Sequence, residues 1–231
     1  MNYTKNLSKH EGKMEILTNA VFENYRNRYN RILTTFYPSI GSTGLQERNL
    51  TVNFAEAYKD AFPNRDVLSW YELQFSKKEA DQDDKNEQPG AADFIDEKKN
   101  NHLDCIIIDK TEKNLFVIES KRFTNTTGKS NAITKDIIRI KQFAKDIEKD
   151  KRFAKLDWLE NFSIYGVILA DVWTENKKKQ EVLDSFKNEK YFSDKTDLTC
   201  DEYIYNTIVF DKDNIDCGSD YALLTFVWKI R

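Results

Sequence analysis

Cysteine, histidine, proline and glycine are all scarce in this 231-residue sequence, at three, two, three and seven positions. Cys105, Cys200 and Cys217 are odd in number, far apart and without a CxxC pair. That excludes a disulfide framework or a cysteine-built zinc site and suits a reducing cytoplasm. His10 and His102 are too few for a histidine-rich centre, so any metal here needs carboxylate ligands. Low Pro and Gly, set against 39% hydrophobic and 13% aromatic residues, exclude collagenous, low-complexity and wholly disordered classes. Long apolar runs are missing too: Cys105-Ile-Ile-Ile108 is far too short to span a bilayer. No apolar stretch follows Met1, so a secretory leader is not expected. The formal net charge is only −3, which argues against a uniformly basic nucleic-acid binder.

That near-neutral sum hides a strong segregation. Residues 110–155 carry a net +7, while 49–109 carry −7 and 156–231 carry −6. Helical spacing of Leu17, Val21, Tyr25, Tyr29, Ile32, Leu33 and Phe36 predicts an amphipathic helix over 13–36. A second helix is expected from about Leu45 to Phe62, with Leu50, Phe54, Ala57, Tyr58 and Ala61 as its apolar stripe. Val67 to Phe75 alternates as a strand does, and 77–101 reads as a long polar loop. Two β-branched runs then flank the polar turn Lys110–Asn114, which predicts a hairpin over 102–122. Both of its faces are apolar, so it should lie centrally in a covered sheet. A helix over 131–149 and a buried strand over 163–172 follow, then a charged helix (175–189) and two apolar strands, 203–210 and 221–230. This order indicates an α/β domain with a mixed central sheet flanked by helices.

Three charges in the hairpin sit where charges are costly. Asp104 opens one strand, and Glu119 and Lys121 close the next, two residues apart and so on one face. If Ile108 pairs with Leu115, Asp104 falls opposite Glu119, with Cβ atoms about 5 Å apart. Pairing Asp109 with Leu115 instead would place Asp104 across from Ser120. Two neighbouring carboxylates in a covered sheet repel each other unless something compensates them. A divalent cation with oxygen ligands is the natural compensation. A lysine beside it can orient or deprotonate a water and neutralise a pentacovalent phosphate. These are the requirements of phosphodiester hydrolysis.

Asp104, fourteen intervening residues, then Glu119-Ser120-Lys121 resembles the PD-(D/E)xK nuclease superfamily, although Leu103 stands where that motif has proline. The resemblance implies a restriction-endonuclease-like core and Mg2+-dependent cleavage of nucleic acid, with Mn2+ as an alternative metal; DNA is the expected substrate, and the choice between DNA and RNA stays open. It also implies Asp104 and Glu119 as metal ligands and Lys121 as the catalytic lysine. Its core would be residues 42–172, preceded by an N-terminal helical extension (1–41) and followed by a C-terminal α/β extension of the same domain (173–231).

Such nucleases often carry another acid on the helix before the first strand, and Glu47 and Glu56 are the candidates. Taking Phe54 as the origin, the apolar stripe spans about −60° to +40°; Glu47 falls at about +20° and Glu56 at about 200°. Glu47 is therefore the choice, against the competing reading of a solvated residue ahead of a helix that begins near Asn49.

In the helix after the hairpin, Lys135, Arg139 and Gln142 share the face opposite the isoleucine stripe. With Lys129 and the local +7 they are candidate phosphate-backbone contacts, against an ordinary solvated face. Lys outnumbers Arg by 27 to 9, favouring phosphate attraction over bidentate base reading. The 13–36 helix is a candidate dimerisation element of a homodimer, against a helix that simply covers the sheet. The competing function is a restriction-endonuclease-like binding module, catalytically silent, in a defence or toxin–immunity system.

Overall fold

The computed structural model describes residues 3–7, 13–36, 47–74, 102–123, 129–150, 152–153, 159–173, 181, 203–210 and 220–231. Among the described residues there are seven strands and three α-helices: β1 (Tyr3–Leu7), α1 (Lys13–Phe36), α2 (Glu47–Ala61), β2 (Val67–Gln74), β3 (His102–Asp109), β4 (Asn114–Phe123), α3 (Lys129–Asp146), β5 (Ser163–Trp173), β6 (Tyr203–Phe210) and β7 (Tyr221–Lys229). The expected loop over 77–101 lies outside the described residues, as does the 175–189 helix apart from Glu181.

The strands make one sheet in the order β1-β6-β7-β5-β4-β3-β2. Among the described strands only β4 and β5 run parallel, joined across α3; the other pairs are antiparallel. The sheet is mixed and the fold is α/β, as the element order predicts. Residues 1–41 depart from a purely helical extension, because Tyr3–Leu7 pairs with β6 and forms one edge of the sheet. β6 and β7, from the C-terminal stretch, belong to the same sheet.

Central position explains the composition of β3, β4, β5 and β7. Each is covered on both faces, so alternation gives way to continuous apolar runs. One core lies under α3, where Ile133, Ile137, Ile140 and Phe143 meet Ile106, Ile108, Leu115 and Val117. The other lies under α1 and α2. There Tyr25, Tyr29, Leu50, Phe54 and Tyr58 meet Cys105, Ile107, Phe116 and Ile118. The described part of the α1 stripe, Val21, Tyr25, Tyr29 and Leu33, is thus buried within the chain's own core. One pairing leaves no slack: a Cβ on Gly166 of β5 would sit 2.2 Å from the ring of Trp228, its partner on β7.

Candidate active site

The β3–β4 hairpin places the charged residues. Asp109 ends β3 and folds back on the turn, its Oδ1 accepting the Glu112 amide at 3.0 Å, and Lys113 takes the left-handed conformation (φ 57°). The resulting register pairs Ile108 with Leu115 and continues to Cys105 opposite Ile118. The pairing ends there; a regular continuation would set Asp104 across from Glu119.

At that step the sheet is distorted. β2 and β3 keep register through Tyr71–Cys105 and Leu73–Leu103, but Glu72, which would face Asp104, has φ 54° and is not paired. The side chains also change phase here. Leu73 and Leu103 join the core under α3, whereas Tyr71 and Cys105 belong to the core on the other face. A non-glycine residue at positive φ is strained, and such strain is found most often beside functional groups. The Asp104 carboxylate at this break reaches Ser120, its Oδ2 accepting the backbone amide at 2.6 Å and the Oγ hydroxyl at 2.7 Å.

Beyond Val117 on the α3 face, β4 presents Glu119 and then Lys121. Glu119 is 1% exposed. Burial raises its pKa well above the usual carboxylate range, with Asp104 and Asp136 adding to the rise and Arg139 opposing it. From α3, Arg139 Nη1 donates to Glu119 Oε1 at 2.7 Å and lies 3.2 Å from Asp136 Oδ1. Lys121 Nζ lies 3.2 Å from Asp136 Oδ2. Burial alone would lower the Lys121 pKa, but Asp136, Glu47 and Glu119 outweigh it and hold the ammonium above its ordinary value. Asp136 is itself pushed up to about 6, by burial against the pull of Lys121 and Arg139.

On the opposite face, the first turn of α2 closes over the end of the same strand. Glu47 opens that helix, and its Oε1 accepts the Arg122 backbone amide at 2.8 Å. One turn on, Thr51 Oγ1 donates to Ser120 Oγ at 3.2 Å, joining Asp104, Ser120 and Thr51 in one chain of hydrogen bonds. Glu56 instead pairs with Lys59 on the helix surface.

The structure therefore brings Asp104, Glu119, Lys121 and Glu47 to one place, the carboxyl end of β4 where it runs beside β5. Such ends of parallel strands are where open α/β sheets bind ligands. Arg139 turns into this cluster and parts from Lys135 and Gln142, which are exposed. The Gln142 amide donates to Asp146 on its own helix. Lys129 is the first residue of α3, with a side chain outside the described set.

Asp136 is the site residue that sequence reasoning missed. The signal was available: with Ile133 as origin, Asp136 falls at about −60°, between Phe143 at about −80° and Ile147 at about −40°. A carboxylate within an apolar arc needs a partner, by the same reasoning that selected Glu47.

Asp104, Glu119, Asp136 and Glu47 outnumber Lys121 and Arg139 by two formal negative charges. Among the described residues, no three acidic, His or Cys side chains converge tightly enough to hold a metal as they stand. The donor chemistry nevertheless fits Mg2+, which takes hard oxygens and needs only one or two carboxylates beside water and phosphate. Buried Glu119 and half-buried Asp104, whose charges repel, are the part of the set that such an ion would relieve. Comparison of the chain with family models, with curated proteins and with solved structures finds no match, so its function must be read from these residues.

Proposed function

We propose that the chain is a Mg2+-dependent nuclease of the PD-(D/E)xK, restriction-endonuclease-like kind, hydrolysing phosphodiester bonds in DNA. The observation that carries this reading is Glu119, a carboxylate 1% exposed whose pKa both Asp104 and Asp136 push further up. Gathering acids around a buried point destabilises a fold unless a cation is to be bound there. Asp104 and Glu119 are the ligands for it, with Glu47 approaching from α2. When bound, Mg2+ polarises the scissile phosphate and acidifies a water.

The chain's own residues set the rest of the chemistry. Lys121 is kept as an ammonium at neutral pH by three surrounding carboxylates, so it donates hydrogen bonds rather than accepting a proton. It orients the attacking water through the water's oxygen and offsets the charge that builds on the pentacovalent phosphate. Asp136 positions Lys121 from α3. Ser120, itself bonded to Thr51, fixes the Asp104 carboxylate. Lys135 and Lys129 lie on or at the start of the same helix and suit the flanking phosphates. Mn2+ is the natural substitute for Mg2+, RNA the second candidate substrate, the cytoplasm the compartment, and a homodimer the form suited to cutting both strands of a duplex.

One observation favours a second reading, a silent binding module: the ion pairs Glu119–Arg139 and Asp136–Lys121 give each buried acid a cation of its own. Incubating supercoiled plasmid, single-stranded DNA and RNA with wild type and Glu119→Ala, with Mg2+ or Mn2+, separates the two. The nuclease nicks or cuts one of these substrates and the variant does not. Equal cleavage by both proteins contradicts the assignment, and no cleavage of any substrate favours the binding module.

A further inference from the structure

Arg139 occupies a place that the proposed chemistry reserves for another cation. Its Nη1 donates to Glu119 Oε1 at 2.7 Å, while the guanidinium keeps a second contact to Asp136 Oδ1 at 3.2 Å, one helical turn back. Glu119 is 1% exposed, and a buried carboxylate stays ionised only with a counter-charge. Both cations of the site touch Asp136, and they differ in exposure: Lys121 is 20% exposed, whereas Arg139 is 31% exposed and has a side open to water. A divalent ion at Glu119 and a guanidinium on the same carboxylate would repel each other at short range. One of them must leave, and Arg139 has somewhere to go.

We infer that Arg139 is the resident counter-cation of Glu119, displaced when a divalent metal binds. This inference rests on the proposed metal site and adds to it a built-in exchange. In the metal-free chain, Arg139 neutralises Glu119 and holds α3 against the end of β4. On metal entry the guanidinium swings away, still tethered by Asp136, and its fork of donors becomes available to a substrate phosphate beside the metal. The metal's apparent affinity is thereby lowered by the strength of the pair it replaces.

Calorimetric titration of the full chain with Mn2+, combined with thermal unfolding with and without Mn2+, tests this for wild type, Glu119→Gln, Arg139→Gln and Arg139→Lys. Wild type should bind Mn2+ and Glu119→Gln should lose that binding. Arg139→Gln should bind Mn2+ about tenfold more tightly than wild type or better, since no pair has to be broken. It should also melt lower than wild type without metal and gain more from Mn2+. Arg139→Lys, which keeps the charge but loses the fork, should fall between the two, and it decides the matter if Arg139→Gln does not fold. Wild-type binding lost in Glu119→Gln but unchanged or weakened in the Arg139 variants overturns the exchange and leaves the metal site standing. Absence of Mn2+ binding by wild type overturns both.

Discussion

Lys121 Nζ lies 3.2 Å from Oδ2 of Asp136, a carboxylate 1% exposed that reaches the site from the helix after the hairpin. The contact joins β4 to the crossover helix α3, and each partner pulls the other toward its charged form. Asp136 has a folded pKa of about 6, raised chiefly by burial, against about 3.9 for an unfolded aspartate. Between pH about 4 and about 6 the folded chain therefore keeps a proton that the unfolded chain has released. Stability from this group falls as pH rises through that window and stays reduced above it, by about 3 kcal/mol at pH 7. Urea unfolding of wild type and Asp136→Asn at pH 4.5 and 7.5 checks the sign. The variant should gain relative to wild type at the higher pH, and a pH-independent difference would be the contrary result.

Ser120 holds Asp104 through both its amide and its hydroxyl. Ser120→Ala keeps the amide bond and loses the hydroxyl, so the fold should survive while the carboxylate is less well oriented. Groups that orient metal ligands typically contribute about 10- to 100-fold in metal affinity. The Mg2+ concentration giving half-maximal cleavage should rise by about tenfold, with little change in melting temperature.

Away from the site, the β5–β7 pairing gives a packing test. Gly166 faces the ring of Trp228 at a distance that leaves no room for a Cβ. Gly166→Ala should destabilise the chain by about 3 kcal/mol through overpacking. Shrinking the ring in Gly166→Ala/Trp228→Leu should recover part of that loss, read as non-additivity in a double-mutant cycle.

At the opposite end of β3, Asp109 is fully buried and accepts from Tyr58 Oη at 2.7 Å and Arg65 Nη1 at 3.1 Å. Asp109→Ala would leave the Tyr58 hydroxyl without its acceptor and the Arg65 guanidinium with Glu112 as its remaining carboxylate, at a cost of about 3 kcal/mol. Denaturant unfolding should show this loss. Per folded molecule, cleavage should be unaffected, because the pair lies at the turn end of the hairpin, away from Glu119.

The hairpin and the phase of Glu47 were legible because each rests on a local rule: strand alternation set the phase of Glu119 and Lys121, and the 3.6-residue period put Glu47 on the sheet side of α2. The register was not, since two pairings of the strands fitted the sequence and the structure selects Ile108 against Leu115. β1 was not legible: Tyr3-Thr-Lys-Asn-Leu7 is short and weakly patterned, and its strand character comes from pairing with β6, some 200 residues along the chain. The φ of Glu72 likewise has no sequence signal, since it follows from how β2 and β3 change phase beside Asp104. Asp136 was legible and overlooked, because an apolar stripe hides a carboxylate when only its hydrophobic members are counted. Arg139 followed from Asp136: with Lys135 and Gln142 it reads as a solvated face, and only the buried acids beside it turn it inward.

The most direct test of the metal-dependent nuclease is the single-turnover rate of plasmid cleavage with saturating Mg2+, wild type against Lys121→Ala. In the proposed mechanism Lys121 offsets the charge of the transition state, so its loss should slow cleavage by about 100- to 1,000-fold while Mg2+ binding persists. Cleavage by Lys121→Ala at the wild-type rate would contradict the assignment of this site as the place where the phosphodiester bond is cut.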